Sequence, residues 1–208
     1  MIKIKGLYCI LPEFDTIKEY KKFVKQLCKF APDIVQLRIK NKSDKFFYNT
    51  AVEIKKILTR YKIPFVINDR IDIAILVNAD GVHLGQDDLP VEKARSIVER
   101  LKLKDFIIGH STHSIEQAMK ALKLPLDYIA IGPVFPTETK SEYQPIGINV
   151  VRKVKLLAEK KKIPVVAIGG INQNNIELVK NTKVDAVAVI SVLKDLNSEI
   201  VNKLKLIK

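Results

Sequence analysis

The polar side chains of this sequence that could do chemistry cluster just after short apolar runs. In Val35-Gln36-Leu37-Arg38-Ile39-Lys40, strand alternation puts Gln36, Arg38 and Lys40 on one face and Val35, Leu37 and Ile39 on the other. An amide and two cations would then share one surface. Four residues of strand rise about 13 Å, so in a barrel Gln36 would lie deep and Lys40 near the mouth. Two later runs end in Asn68-Asp69-Arg70 and Gln86-Asp87-Asp88. Carboxylates ending successive strands could meet around one cation. Few hard oxygen ligands, completed by water and substrate phosphate, describe Mg²⁺. Taken singly, each Asp is more often an N-cap of the next helix, and Asp88 before Leu89-Pro90 fits that simpler role well.

A second group sits toward the end of the chain. Gly169-Gly170-Ile171-Asn172 follows the seventh apolar run, and Ile190-Ser191 ends the eighth. Glycine lets the main chain approach an anion closely, and the seventh and eighth loops of many barrels bind phosphate through backbone N–H groups. Thr137-Glu138-Thr139-Lys140 adds two hydroxyls and a cation, and Ser111 adds another hydroxyl. His83 and His113 read as structural. No Ser-His-Asp arrangement, Walker A sequence or GxGxxG is present. Two separate anion-binding places suggest the joining of a diphosphate donor to a phosphorylated acceptor.

The elements that must position these residues alternate. Strands are expected near Gly6–Leu11, Asp33–Lys40, Pro64–Asp69, Gly81–Gly85, Phe106–Ser111, Tyr128–Gly132, Pro164–Gly169 and Ala186–Ser191. Helices are expected over Thr16–Phe30, Lys45–Tyr61, Ile71–Val77, Pro90–Leu101, Ser114–Leu122, Ile148–Lys162, Asn174–Lys180 and from Val192 onward. Runs such as Val165-Val166-Ala167-Ile168 are apolar on both faces, as parallel strands covered by helices require. Eight strand–helix units predict a single-domain (β/α)8 TIM barrel over residues 1–208, with an open doubly wound sheet as the alternative. The longest polar interruption, Thr137–Gln144, falls in the sixth strand-to-helix loop, on the face where barrels keep their active sites.

Composition narrows the function classes. The 208 residues carry 36 Lys+Arg against 23 Asp+Glu, a formal charge of +13. The lysines lie mainly in amphipathic stretches among Glu residues, without the interleaved aromatics that would stack nucleic-acid bases. Solvated helix faces, not a nucleic-acid surface, are expected. No apolar run reaches the roughly 18 residues of a membrane span, and the start lacks a secretory pattern. Cys9 and Cys28 form neither a disulfide framework nor a zinc signature. A cytoplasmic, soluble enzyme of small-molecule substrates is expected, with no nucleic-acid or membrane partner; a homo-oligomer is compatible with the sequence.

With these residues in order, the chain resembles the thiamine phosphate synthase family. The resemblance rests on Gln36 to Lys40, Asn68-Asp69-Arg70, Gly81 to Asp88, Gly132 to Lys140 and Ala167 to Ile171. One departure is Ile39, where the family often has Glu; its side chain is expected to point away from the site. The resemblance implies a TIM-barrel transferase that couples hydroxymethylpyrimidine diphosphate to the thiazole phosphate, or to its carboxylated form. Thiamine phosphate and pyrophosphate would be released by a dissociative substitution. By the family pattern Gln36, Leu37, Arg38, Ile39, Lys40, Asn68, Ser111 and Lys140 would hold the pyrimidine diphosphate, with Arg38, Lys40, Ser111 and Lys140 catalytic. Thr137, Glu138, Thr139, Gly170, Ile190 and Ser191 would hold the thiazole phosphate, and Asp69 and Asp88 one Mg²⁺ per subunit. The nearest rival is the thiazole tautomerase branch, which needs no diphosphate machinery and is expected to carry a histidine where Pro133 stands. A phosphosugar isomerase would share Gly169-Gly170 without a use for Asn68-Asp69 and Asp88.

Overall fold

Strands that are apolar on both faces need cover on both sides, and the chain meets that need by closing its sheet. The computed structural model describes residues 2–137, 144–195 and 198–204. Among them run β1 (Gly6–Ile10), α1 (Ile17–Cys28), β2 (Ile34–Leu37), α2 (Asp44–Tyr61), β3 (Phe65–Asn68), α3 (Ile71–Leu76), β4 (Gly81–Leu84) and α4 (Val91–Arg100). The second half repeats the pattern: β5 (Ile107–Thr112), α5 (Ile115–Ala121), β6 (Tyr128–Ile131), α6 (Gly147–Glu159), β7 (Val165–Ile168), α7 (Ile176–Lys180), β8 (Ala186–Val189) and α8 (Ser198–Leu204). A 3₁₀ segment, Ser191–Asp195, lies between β8 and α8. Neighbouring strands pair in parallel, and β1 closes on β8 through Gly6↔Ala186 to Cys9↔Val189. That closing ladder excludes the open doubly wound sheet and establishes the TIM barrel.

Successive strand residues divide between two packed layers, as a period of two demands. Leu7, Val35, Leu37 and Ile67 face the helices. Tyr8, Ile34, Val66, Tyr128 and Ala188 fill the barrel interior. The helices begin where short polar side chains can cap them. Thr16 and Glu19 form a reciprocal capping box on α1, while Ser43 and Ser114 accept from Phe46 N–H and Gln117 N–H on α2 and α5. On α1 the spacing of Tyr20, Val24, Leu27 and Cys28 turns one apolar stripe to the barrel. No helix among the described residues is long and apolar enough to cross a membrane.

The strand–helix rhythm carries a longer period of two units. Asp33, Asp80, Asp127 and Asp185 each stand one residue before an even-numbered strand. Each carboxylate accepts from a backbone N–H of the preceding strand: Leu7 at 2.9 Å, Phe65 at 2.8 Å, Ile108 at 2.7 Å and Val165 at 2.8 Å. Lys55, Arg95 and Lys155 reach Asp80, Asp127 and Asp185 from even-numbered helices. These clamps pin strand starts at the end of the barrel away from the site. Lys155 is 8% exposed as a residue and its other carboxylate neighbour, Glu159, lies 3.6 Å away, so loss of Asp185 leaves a poorly solvated ammonium with only a loose partner. Asp185→Ala is therefore expected to lower stability by about 1–3 kcal/mol, read by equilibrium urea unfolding.

Candidate active site

At the C-terminal ends of the strands lies a cavity of about 280 Å³. The polar track of β2 leads into it: Gln36, Arg38 and Lys40 all line it, whereas Leu37 and Ile39 do not. The ladder between β2 and β3 stops at Leu37↔Ile67, short of the expected strand end at Lys40, yet the alternation persists beyond it. Gln36 is buried, Arg38 half-buried and Lys40 exposed, the depth gradient expected of a barrel strand. Leu37 and Ile39 are buried in the layer under the helices. Their side chains point away from the cavity, as the alternation of β2 requires, so a ligand could meet them only through the main chain.

Asn68 ends β3 on the interior side and lines the cavity. Asp69 follows with φ 62°, a left-handed turn that side chains such as Asp tolerate, and donates its N–H to His83 O at 2.8 Å. Its carboxylate accepts from Lys40 Nζ at 2.5 Å and contacts that of Asp88. Burial raises the Asp69 pKa, and sharing a proton with Asp88 raises it further, against the pull of Lys40. For Asp88 burial works upward, but bonds from the Asp69 carboxyl and from Gly85 N–H outweigh it, so the pKa is lowered. That N–H lies 2.6 Å from Asp88 Oδ2. Neither carboxylate caps a helix: Arg70 and Pro90 occupy the N-cap positions of α3 and α4, without side-chain cap bonds. Asp69 and Asp88 line the cavity at this rim, and Asp87 lies beside them in the same lining. Arg70 turns away to Asp44 and Asp72.

The glycine-rich loop closes the other side. Gly169 and Gly170 have φ of 99° and 66°, and a Cβ on Gly170 would stand 2.5 Å from Pro136 O; only glycine fits. Asn175 braces the turn, donating to Gly170 O at 2.8 Å and accepting from Asn172 N–H at 2.9 Å. Thr137, Gly170, Ile190 and Ser191 line the same cavity as the β2 track. Glu138, Thr139 and Lys140 lie outside the described residues.

Several groups at the site carry no sequence signal of the kind that marks Asp69 or Gly170. Glu13, in the loop after β1, lies 3.5 Å from Arg38 Nη1 and accepts from Lys40 N–H at 3.2 Å. Gln86 donates to Ser111 O at 2.5 Å. His83, expected to be structural, lines the cavity and meets Ser111 Oγ through Nε2 at 2.9 Å. Tyr8 and Tyr128 read as core aromatics, but their hydroxyls join the same interior hydrogen bonds. A signal for Tyr128 did exist: Gly109 interrupts β5, and a Cβ there would stand 2.1 Å from Tyr128 Cζ.

Fold and site together define a (β/α)8 barrel whose C-terminal rim opens into one cavity lined by cations, carboxylates and a glycine-rich loop. The family model described as thiamine monophosphate synthase matches residues 7–193. A thiamine-phosphate synthase of Clostridium tetani is 42% identical over 194 residues, covering 91% of this chain and 90% of the relative. One from Persephonella marina is 48% identical over 181 residues, covering 86% and 83%. The solved thiamine phosphate pyrophosphorylase of Pyrococcus furiosus superposes with a TM-score of 0.77 at 34% identity, over 96% of this chain and 93% of its own. The chain belongs to the thiamine monophosphate synthase family and is a transferase.

Proposed function

We propose that this chain condenses hydroxymethylpyrimidine diphosphate with the thiazole phosphate, releasing thiamine phosphate and pyrophosphate, or with its carboxylated form, releasing carbon dioxide as well. One observation carries the reading: the β2 cations, the Asp69–Asp88 pair and the glycine-rich loop face a single cavity. A tautomerase acting on the thiazole alone would have no use for the first two. Gln36, Asn68 and Ser111 would hold the pyrimidine, while Arg38, Lys40 and Lys140 would hold its diphosphate. Thr137, Glu138, Thr139, Gly170, Ile190 and Ser191 would hold the phosphate of the acceptor.

The donor set suits Mg²⁺. Asp69 and Asp88 line the same cavity and offer a small hard cation two carboxylate ligands. Among the described residues no group of three or more His, Cys, Asp or Glu side chains is placed to bind a metal, so substrate phosphate and water would complete the shell. Held by Asp69 and Asp88, Mg²⁺ would supply positive charge to the leaving diphosphate.

Substitution then needs little covalent help from the protein. The carbon–oxygen bond breaks with its electron pair leaving on pyrophosphate, the amino-substituted ring stabilises the resulting cation, and the thiazole nitrogen donates its lone pair to the same carbon. Arg38 and Lys40 meet the charge that grows on the leaving group. The glycine loop holds the acceptor so that its nitrogen is near the carbon when the bond opens. No side-chain nucleophile is required. The test is to incubate both precursors with the protein and Mg²⁺, with an EDTA control. Thiamine phosphate and pyrophosphate in equal amounts are expected, and no product above the control would overturn the reading.

A further inference from the structure

A buried string of hydrogen bonds crosses the barrel interior beneath the cavity. Gln36 Nε2 donates to Tyr8 OH at 2.8 Å, Tyr8 OH lies 2.8 Å from Tyr128 OH, and Tyr128 OH lies 3.0 Å from His83 Nδ1. His83 Nε2 ends the string 2.9 Å from Ser111 Oγ. The two phenols are 1% and 0% exposed and Gln36 is 2%, so bulk water has no access to the phenol hydroxyls. Rings and strands hold the links in place. The His83 and Tyr128 rings stack with centroids 5.5 Å apart, and the Tyr128 ring occupies the space left by Gly109.

The string has one direction. An amide NH₂ can only donate, so Tyr8 OH accepts from Gln36; buried at 1% exposure, it would leave its own proton unpaired unless it donates to Tyr128, 2.8 Å away. Tyr128 in turn donates to His83 Nδ1, which places the imidazole proton on Nε2 and directs it at Ser111 Oγ. Ser111 therefore accepts from below and keeps its own proton for the cavity, while Gln36, its NH₂ engaged, offers Oε1. Burial raises both phenol pKa values, which keeps the relay protons in place at any ordinary pH.

We propose that Tyr8, Tyr128 and His83 are positioning residues whose hydrogen-bond string fixes Gln36 as an acceptor and Ser111 as a donor, and so selects a 4-aminopyrimidine over its 4-oxo analogue. This rests on the reading of Gln36 and Ser111 as pyrimidine contacts. A 4-aminopyrimidine offers an exocyclic N–H to Gln36 Oε1 and an unprotonated ring nitrogen to the Ser111 hydroxyl. The 4-oxo ring has an exocyclic acceptor and a protonated ring nitrogen, which reverses the pattern and leaves buried polar groups unpaired. Cutting the string frees the Gln36 amide to flip and the Ser111 hydroxyl to turn. The part of the preference set by recognition should then fall even where turnover survives, while the amino ring's own stabilisation of the cation stays the same in parent and variants.

The experiment compares kcat/KM for the amino and oxo diphosphates, with the thiazole phosphate and Mg²⁺ present, in the parent, Tyr128→Phe, Tyr8→Phe and the double variant. Either single change is expected to reduce the amino-to-oxo ratio about tenfold or more, and the double variant no further than the worse single, because one cut already breaks the string. ¹⁵N spectra of the parent should show the His83 proton on Nε2, a readout that needs no turnover. An unchanged ratio in both single variants, or a His83 proton on Nδ1, overturns the proposal. If the parent turns over neither diphosphate, the condensation reading fails and the His83 tautomer alone judges the string. Should Tyr128→Phe not fold, Tyr8→Phe and the tautomer decide.

Discussion

Asp69→Asn is expected to lower Mg²⁺-dependent turnover of the two precursors by about 10²–10³-fold while leaving the thermal midpoint close to that of the parent. Asparagine is the informative substitution. The residue sits at φ 62°, where Asn is tolerated and alanine would add strain. It also keeps the shape of the side chain beside Lys40. What disappears is one of two charges able to hold a cation against the leaving diphosphate. Stability should hardly suffer, because the Lys40 partner is 44% exposed and such pairs contribute less than about 1 kcal/mol. Two carboxyls in contact also oppose each other in the metal-free protein. A group whose folded pKa is raised favours the folded state less as pH climbs past its ordinary value, whereas Asp88, whose pKa is lowered, favours it more, so the two carboxyls act on stability in opposite directions. Steady-state pyrophosphate release at several Mg²⁺ concentrations, with a thermal melt of the metal-free protein, reads both halves. Parental turnover in the variant would remove Asp69 from the metal site.

The parts of this molecule legible in its sequence are those that follow from alternation and strand count. Gln36, Arg38 and Lys40 were identifiable because a period of two must put them on the face opposite Val35, Leu37 and Ile39, and that holds even past the end of the ladder at Leu37. The glycine loop was legible because a Cβ is excluded there. Asp88 was ambiguous in principle: capping and metal binding ask for the same oxygens, and only three dimensions show that its carboxylate turns back to Gly85 N–H and Asp69. The interior tyrosines were hidden for another reason. A hydroxyl on an aromatic core residue changes neither hydrophobic pattern nor strand propensity, so Tyr8 and Tyr128 look the same whether the phenol is idle or wired to a histidine. Glu13 is hidden because it precedes α1 in a loop whose path no periodicity describes. The recurring Asp33, Asp80, Asp127 and Asp185 were on the page as letters, but spacing alone does not say that each reaches back to the strand before it.

Arg38→Ala should cost about 10²–10³-fold in kcat/KM and Arg38→Lys about tenfold, with unfolding curves superimposable on that of the parent. The reason lies in how the guanidinium is held. Its contact with Glu13 is 3.5 Å long with 21% of the Arg38 side chain exposed, an ion pair too loose to carry fold stability but sufficient to aim a cation at the cavity. Glu13 meanwhile accepts from the Lys40 N–H, so a single carboxylate orients the strand exit that presents both cations. A lysine at position 38 would keep the charge but lose the planar fork that meets two phosphate oxygens together, hence the intermediate loss. Glu13→Gln retains the acceptor for Lys40 N–H and weakens only the pull on Arg38; its effect should stay below about tenfold. The order Ala, then Lys, then Gln in decreasing loss is what a leaving-group clamp requires. Equal losses for Arg38→Ala and Glu13→Gln would instead assign Arg38 to holding the loop after β1.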